Sequence, residues 1–215
     1  EPTNYHLAFG SSIHALSENM LGTLTQNPRP TFDDYHNFFL ETYNQELQKL
    51  PEPVEDDILR DHIRSSKIMI QQYEKLLLDT IGEFEVVFVE KEINHEMKTD
   101  KDFEFDFIGY IDFVLKDKQG NIYICDLKTA KRPWGWKKRR DKKYINQLIA
   151  YKFFYEKEFK VGYENIKTMY TFLYPDKDME VLFIDSTTEK IEEMLEDMRR
   201  MVLNTWVIKN YARNP

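Results

Sequence analysis

The sequence predicts an α/β protein: a mixed central β-sheet flanked by helices, with an N-terminal helical elaboration. Three observations lead there. Apolar residues recur at helical 3–4 spacing up to Ile81. The pattern then changes to period two, in runs rich in Phe, Val, Ile and Tyr. A further helical run separates the third strand-like segment from the fourth, as in a strand–helix–strand crossover.

Each element has its own local signal. "SSIHALSENMLGTLTQ" reads as a first helix, with Ile13, Leu16, Met20, Leu21 and Leu24 on one stripe and Ser11 or Ser12 as its cap. In "PRPTFDDYHNFFLETYNQELQKL", Thr31 followed by Asp34 resembles a capping box. A third helix covers Glu55 to Ile81, and Gly82 ends it as a left-handed C-cap. "EFEVVFVEKEI", "FEFDFIGYIDFVL" and "IYICDLKT" are three strands in a meander, the last two joined by the turn "KDKQGN". "YINQLIAYKFFYEKEF" is the crossover helix. "IKTMYTFLY" and "EVLFI" are further strands separated by "PDKD", and Ser186 with Glu189 caps a last helix through Val207. The expected organisation is one domain over 1–215: residues 1–82 mostly helical, and 83–215 a sheet core with the crossover and C-terminal helices.

Composition narrows the function classes. The chain is 41% hydrophobic and 32% charged, ordinary for a globular protein. Its one cysteine, Cys125, excludes an intrachain disulfide and an all-cysteine metal cluster, and suits a reducing compartment. No apolar run approaches a membrane span. The net charge of −8 argues against coating nucleic acid by charge alone. Yet Lys128 to Lys143 holds nine basic residues against one acid, Asp141. A local basic stripe on an acidic body suits a grip on a polyanion at one place; a solvated loop is the plainer alternative.

"GYIDFVLKDKQGNIYICDLKTAKR" puts two aspartates inside apolar strands. Side chains alternate faces, so Ile122, Ile124, Asp126 and Lys128 share one face, with Asp126 and Lys128 about 7 Å apart. Asp112 is expected beside Tyr110 and Val114 on its own face. Counting back through the hairpin sets Asp126 opposite residue 111 or so, close to Asp112. Neighbouring carboxylates repel unless a cation lies between them. Aspartate oxygens suit Mg²⁺ or Mn²⁺, and an ammonium beside the metal stabilises charge on a phosphate under attack. The alternative is strand-end charges facing solvent.

Further residues fall into line with these. The helix carries "FGSSIHALSE" with His14, and the first strand "VVFVEKEI" with Glu90, or alternatively Glu92. "GYID" carries Asp112, "ICDLKT" carries Asp126 and Lys128, and the crossover helix carries "QLIAY" with Gln147 and Tyr151. In this order the motifs resemble the PD-(D/E)XK nuclease superfamily, in particular its RecB/Cas4-like branch, over residues 10 to 151. The resemblance implies a restriction-endonuclease-like core. It implies His14, Asp112, Asp126 and the carbonyl of Leu127 as metal ligands, Lys128 as the catalytic lysine, and Glu90 orienting water or Lys128. Gln147 and Tyr151, one helical turn apart, would touch the DNA backbone or position the lysine; packing is their other reading.

The basic run supplies DNA-binding candidates: Lys131, Arg132, Lys138, Arg139 and Arg140. Trp134 and Trp136 either stack on nucleobases or cap the core under a loop. His6, His36, His62 and His95 have no partner motif and are expected at the surface. Many members of the branch hold an iron–sulfur cluster on four cysteines. Neither cysteine set is present here, so no such cluster forms within these residues. The chain either belongs to a subgroup without it or has had its ends removed.

The resemblance implies a Mg²⁺- or Mn²⁺-dependent deoxyribonuclease of recombination, repair or phage DNA processing, with single strands or DNA ends as substrate. A helicase or recombination protein is the expected partner, with no membrane, in the cytoplasm of a bacterial or phage-infected cell or a similar reducing compartment. The competing readings are a non-catalytic DNA-binding or assembly module, a site-specific or structure-specific endonuclease, and a hydrolase of small phosphate compounds.

Overall fold

The computed structural model describes residues 4–98, 104–174 and 177–211, with side chains through 203. Three helices come first: α1 (Tyr5–Gly22), α2 (Phe32–Leu47) and α3 (Asp56–Ile81). The strands β1 (Phe84–Lys98), β2 (Glu104–Asp117) and β3 (Ile122–Thr129) follow. A short helix α4 (Trp136–Arg139) and the long α5 (Lys142–Phe159) lead to β4 (Ile166–Tyr174), β5 (Lys177–Ile184) and α6 (Thr188–Tyr211). The sheet order is β1-β2-β3-β4-β5. β1, β2 and β3 form the expected antiparallel meander, β3 and β4 are parallel across the α5 crossover, and β5 returns antiparallel.

Each face of the sheet carries its own core. Helices α1–α3 cover one with Ile13, Leu16, Phe39 and Leu77 against Phe113, Cys125 and Leu127. Helix α5 and the start of α6 cover the other with Leu148, Phe154 and Met194 against Ile124, Ile166 and Tyr170. A mixed sheet with helices on both faces is the predicted architecture, and no described helix is long and apolar enough to cross a membrane.

Local expectations are corrected at several points. Helix α1 begins at Tyr5, not at the serines, because Asn4 caps it by accepting the His6 and Leu7 N–H groups. Ser12 is buried mid-helix and donates to the Ala8 carbonyl, so it is no cap. The Thr31–Asp34 capping box forms as expected. Gly82 ends α3 at φ 79°, ψ −160°, a glycine conformation but not the left-handed helical one. Thr187, not Ser186, accepts the Lys190 N–H at the start of α6, and the helix runs on past Val207. β1 is longer than expected, β5 begins already at Lys177, and part of the basic run folds as α4. Among the remaining histidines, His62 is buried rather than superficial: Tyr43 Oη lies 2.5 Å from its Nδ1. That bond gives a polar ring a partner inside the helical core.

One irregularity shapes the site. Along β2, Phe113 and Leu115 lie in the core under α1–α3, whereas Ile111 and Phe107 lie in the core under α5. Along β1, Val89 faces the first core and Ile93 the second. All six numbers are odd, so strict alternation is broken in both strands. The break falls at Glu90 in β1 and Asp112 in β2, which oppose each other between the pairs Val89↔Phe113 and Lys91↔Ile111. Glu90 has φ +50°, a left-handed conformation that non-glycine residues adopt at a cost. Consequently Tyr110 and Val114 do not share surroundings, as alternation had suggested: Tyr110 is exposed and Val114 fully buried.

Candidate active site

Three acids form a row across three strands at this break. Glu90 opposes Asp112 in β1, and the next pair after Phe113↔Cys125 sets Asp126 opposite Asp112, one residue from the expected register. Asp112 Oδ2 accepts the Leu127 backbone N–H at 2.8 Å, so a carboxylate stands where ladder pairing stops. Asp126 is 2% exposed; Lys128 Nζ lies 2.5 Å from its Oδ2 as an ion pair, and that oxygen takes part in no well-aligned hydrogen bond.

The electrostatics match this crowding. Burial pushes the Asp112 carboxyl above its ordinary range, opposed by the Leu127 N–H and Lys128 and reinforced by Glu90. Asp126 is likewise raised, first by burial and then by Asp112, while Lys128 and His14 pull it back. Both carboxylates are therefore harder to ionise than free ones.

Helix α1 brings His14 over the row, with Nδ1 3.5 Å from Asp112 Oδ2. Burial lowers the His14 pKa more than Asp126 raises it, leaving a neutral imidazole that also hydrogen-bonds the Leu127 backbone. A neutral imidazole is the form that ligates metals. One turn further along α1, at the i+4 position, stands half-buried Glu18. Its carboxyl is pushed up to about 7 by burial and by the charges of Glu90 and Asp112. Glu18 was not singled out from the sequence, although His-x-x-x-Glu on a helix sets both side chains on one face.

The crossover helix supports the lysine. Tyr170, fully buried in β4, donates its hydroxyl proton to the Tyr144 carbonyl at 2.7 Å, with Gln147 Oε1 3.2 Å from the same oxygen. Gln147 donates in turn to Tyr151 Oη at 3.2 Å. The Lys128 ammonium sits 5.6 Å from the Tyr170 ring centroid, within cation–π range. Gly109 explains part of the "GYID" motif: a Cβ there would meet the Tyr151 ring at 2.7 Å. Only glycine lets that tyrosine lie against the strand.

The basic run divides. Arg139 donates to the Trp134 carbonyl at 2.7 Å and to Glu180 at 2.5 Å, so its guanidinium is committed to the fold. Trp134 is buried against Tyr144, Tyr170 and Phe172, whereas Trp136 is 65% exposed beneath the Arg140 guanidinium. Lys131, Arg132 and Lys138 are exposed and have no carboxylate partner among the described residues.

The donor set fits a divalent cation. Two carboxylates with raised pKa values and a neutral imidazole lie around the Leu127 backbone, and a buried oxygen of Asp126 has only an ammonium beside it. No group of three or more His, Cys, Asp or Glu side chains is drawn together at ligand spacing among the described residues. Lys128 holds Asp126 instead.

A β-sheet with helices on both faces and acids flanking a lysine on its central strands is the architecture of a nuclease class. The chain belongs to the PD-(D/E)XK nuclease superfamily, whose family model matches residues 1–215. Among solved structures, a Eubacterium rectale protein named as a candidate exonuclease is similar at a TM-score of 0.55. It is 12% identical, and the match covers 97% of this chain and 68% of that one. A protein named SSO0001 matches at 14% identity and a TM-score of 0.41, over 92% of this chain and 85% of that one. At such identities the first likeness speaks to the fold alone. No curated protein sequence matches.

Proposed function

We propose that the protein is a Mg²⁺- or Mn²⁺-dependent deoxyribonuclease that hydrolyses phosphodiester bonds at DNA ends or in single strands, as an exonuclease of the RecB/Cas4-like branch. The observation that carries this reading is the buried pair Asp112 and Asp126, which repel each other beside Lys128. A merely structural pair would have been given enough donors to settle both charges.

Asp112, Asp126, His14 and the Leu127 carbonyl would hold the ion. When bound, a divalent cation supplies a water of lowered pKa and charge to polarise the phosphate. Lys128, released from Asp126, offers its ammonium to the negative charge that grows on the phosphate oxygens. Tyr170, whose hydroxyl lies by Gln147, flanks that ammonium. Glu90, in a left-handed conformation across from Asp112, would orient water or the lysine. Lys131, Arg132 and Lys138 attract the backbone without reading sequence.

A time course on end-labelled single-stranded, duplex and circular DNA with Mg²⁺, Mn²⁺ or EDTA tests the reading. Cleavage of linear single strands is expected with either ion and not with EDTA. Asp126→Asn and Lys128→Ala should each reduce it by at least about 10²-fold. Full activity in both variants would remove this site from the chemistry.

A further inference from the structure

Beside the carboxylates, a cavity of about 520 Å³ opens between the start of α1, the start of α3 and the segment joining β3 to α4. That volume lies in the range of small-molecule sites, about 300–1,000 Å³. It sits where parallel β3 and β4 end, at Thr129 and Leu173. Ligands of α/β sheets gather at the carboxyl ends of such strands.

The walls are of two kinds. Phe9, His62 and Trp134 are aromatic and almost wholly buried, yet line the cavity. Phe9 and His62 stack with centroids 4.1 Å apart and planes at 11°, so this wall is built in advance. Burial, and then His6, pushes the His62 pKa down to about 4, which keeps the wall uncharged near neutrality. Lys131, Arg132 and Lys138 form the cationic side. Asp61, the acid among the lining residues, pairs with Arg64 at 3.1 Å.

Helix α1 connects this cavity to the carboxylates. Phe9 lines it, and Gly10 lies against Thr129 Oγ1, at 3.6 Å from a Cβ position. His14 reaches Asp112 about 7.5 Å further along the helix axis, by the rise per residue. Thr129 itself follows Lys128 in β3.

We propose that the cavity receives the unpaired terminal nucleotide of a DNA strand, its base against Phe9, His62 and Trp134 and its phosphate on Lys131, Arg132 and Lys138. The inference rests on the nuclease reading and adds the form of the substrate end. A base must be unstacked and unpaired to enter. Aromatic walls accept any base through its π-face, and the cations hold phosphate irrespective of sequence. The rest of the strand then runs along α1 towards Lys128.

The test uses the whole chain in EDTA, titrated calorimetrically with four probes: deoxyadenosine 5′-monophosphate, deoxyadenosine 3′-monophosphate, deoxyadenosine and inorganic phosphate. At least one monophosphate should bind more tightly than deoxyadenosine or phosphate, and the better of the two identifies the strand end that enters. The double variant Lys131→Ala/Arg132→Ala changes only exposed side chains and should weaken that binding about tenfold or more, through loss of charge-assisted contacts. The proposal is overturned if neither monophosphate binds, if phosphate alone binds as well, or if the double variant binds unchanged. Because the readout needs no metal and no cleavage, an inactive protein that binds the nucleotide would sink the nuclease reading alone. An active one that ignores all four probes would sink the cavity alone.

Discussion

Asp117 and Asp126 lie on neighbouring strands of one hairpin, and both are buried, at 7% and 2% exposure. Their treatment is opposite. Asp117 accepts from the Gln119 and Asn121 N–H groups, from Asn121 Nδ2 and from Tyr123 Oη. Burial works to raise its pKa, but these donors prevail and hold it below the ordinary carboxylate range. Asp126 is given one ammonium and a second carboxylate as neighbours, and its pKa rises. The same chemistry is finished at the turn end of the hairpin and left unfinished at the other. The unfinished end is where the proposed cation would bind.

This contrast can be broken most sharply with metal. At about 100 times its dissociation constant, Mg²⁺ or Mn²⁺ should stabilise the fold by about 2.7 kcal/mol through linkage. For a chain of this size that is a rise in Tm of roughly 5–10 °C, read by thermal shift. Asp117→Asn should keep the rise, and Asp126→Asn should lose it. An undiminished shift in Asp126→Asn would mean that the ion binds elsewhere.

The next effect is on metal-free stability against pH, measured by urea unfolding at pH 5 and pH 8. Asp112 and Asp126 bind protons more tightly folded than unfolded, so they favour the folded state less as pH rises from the unfolded carboxylate range through their raised folded values. The gain in Asp126→Asn should therefore be larger at pH 8 than at pH 5, by about 1 kcal/mol. Asp117→Asn should instead be destabilised to a similar extent at both pH values. The Asp117 contribution is complete above the unfolded carboxylate pKa and is lost as pH falls through its depressed folded value. The loss should shrink only when the pH is taken below the unfolded carboxylate range.

The smallest effect concerns the neighbour that completes the acidic row. Glu90→Gly should be more stable than Glu90→Ala by about 1 kcal/mol in the same urea assay, since glycine adopts φ +50° without strain. Equal stabilities would show that the backbone there is relaxed.

Much of this was legible in the sequence because it is local. Asp112, Asp126 and Lys128 were visible as charges inside β-prone runs, and a carboxylate in a strand demands an explanation. The meander and the crossover followed from the change of period. What escaped depends on partners far along the chain. His62 looked superficial because Tyr43, which holds it, is on another helix. Arg139 looked like its neighbours in the basic run, since nothing local reveals that Glu180 has taken it. Glu18 resembled any acid on an amphipathic helix until folding set it against Glu90 and Asp112. The break in alternation at Glu90 and Asp112 carries no glycine or proline to announce it, so the faces of Tyr110 and Val114 were misjudged.

That break also makes one hairpin fasten two opposite walls of the molecule. Below it the strands grip the N-terminal helices, and beyond it they clasp the crossover helix. Deleting a single residue on the far side would turn that half inside out and leave the near half seated, so length here is under tighter constraint than composition.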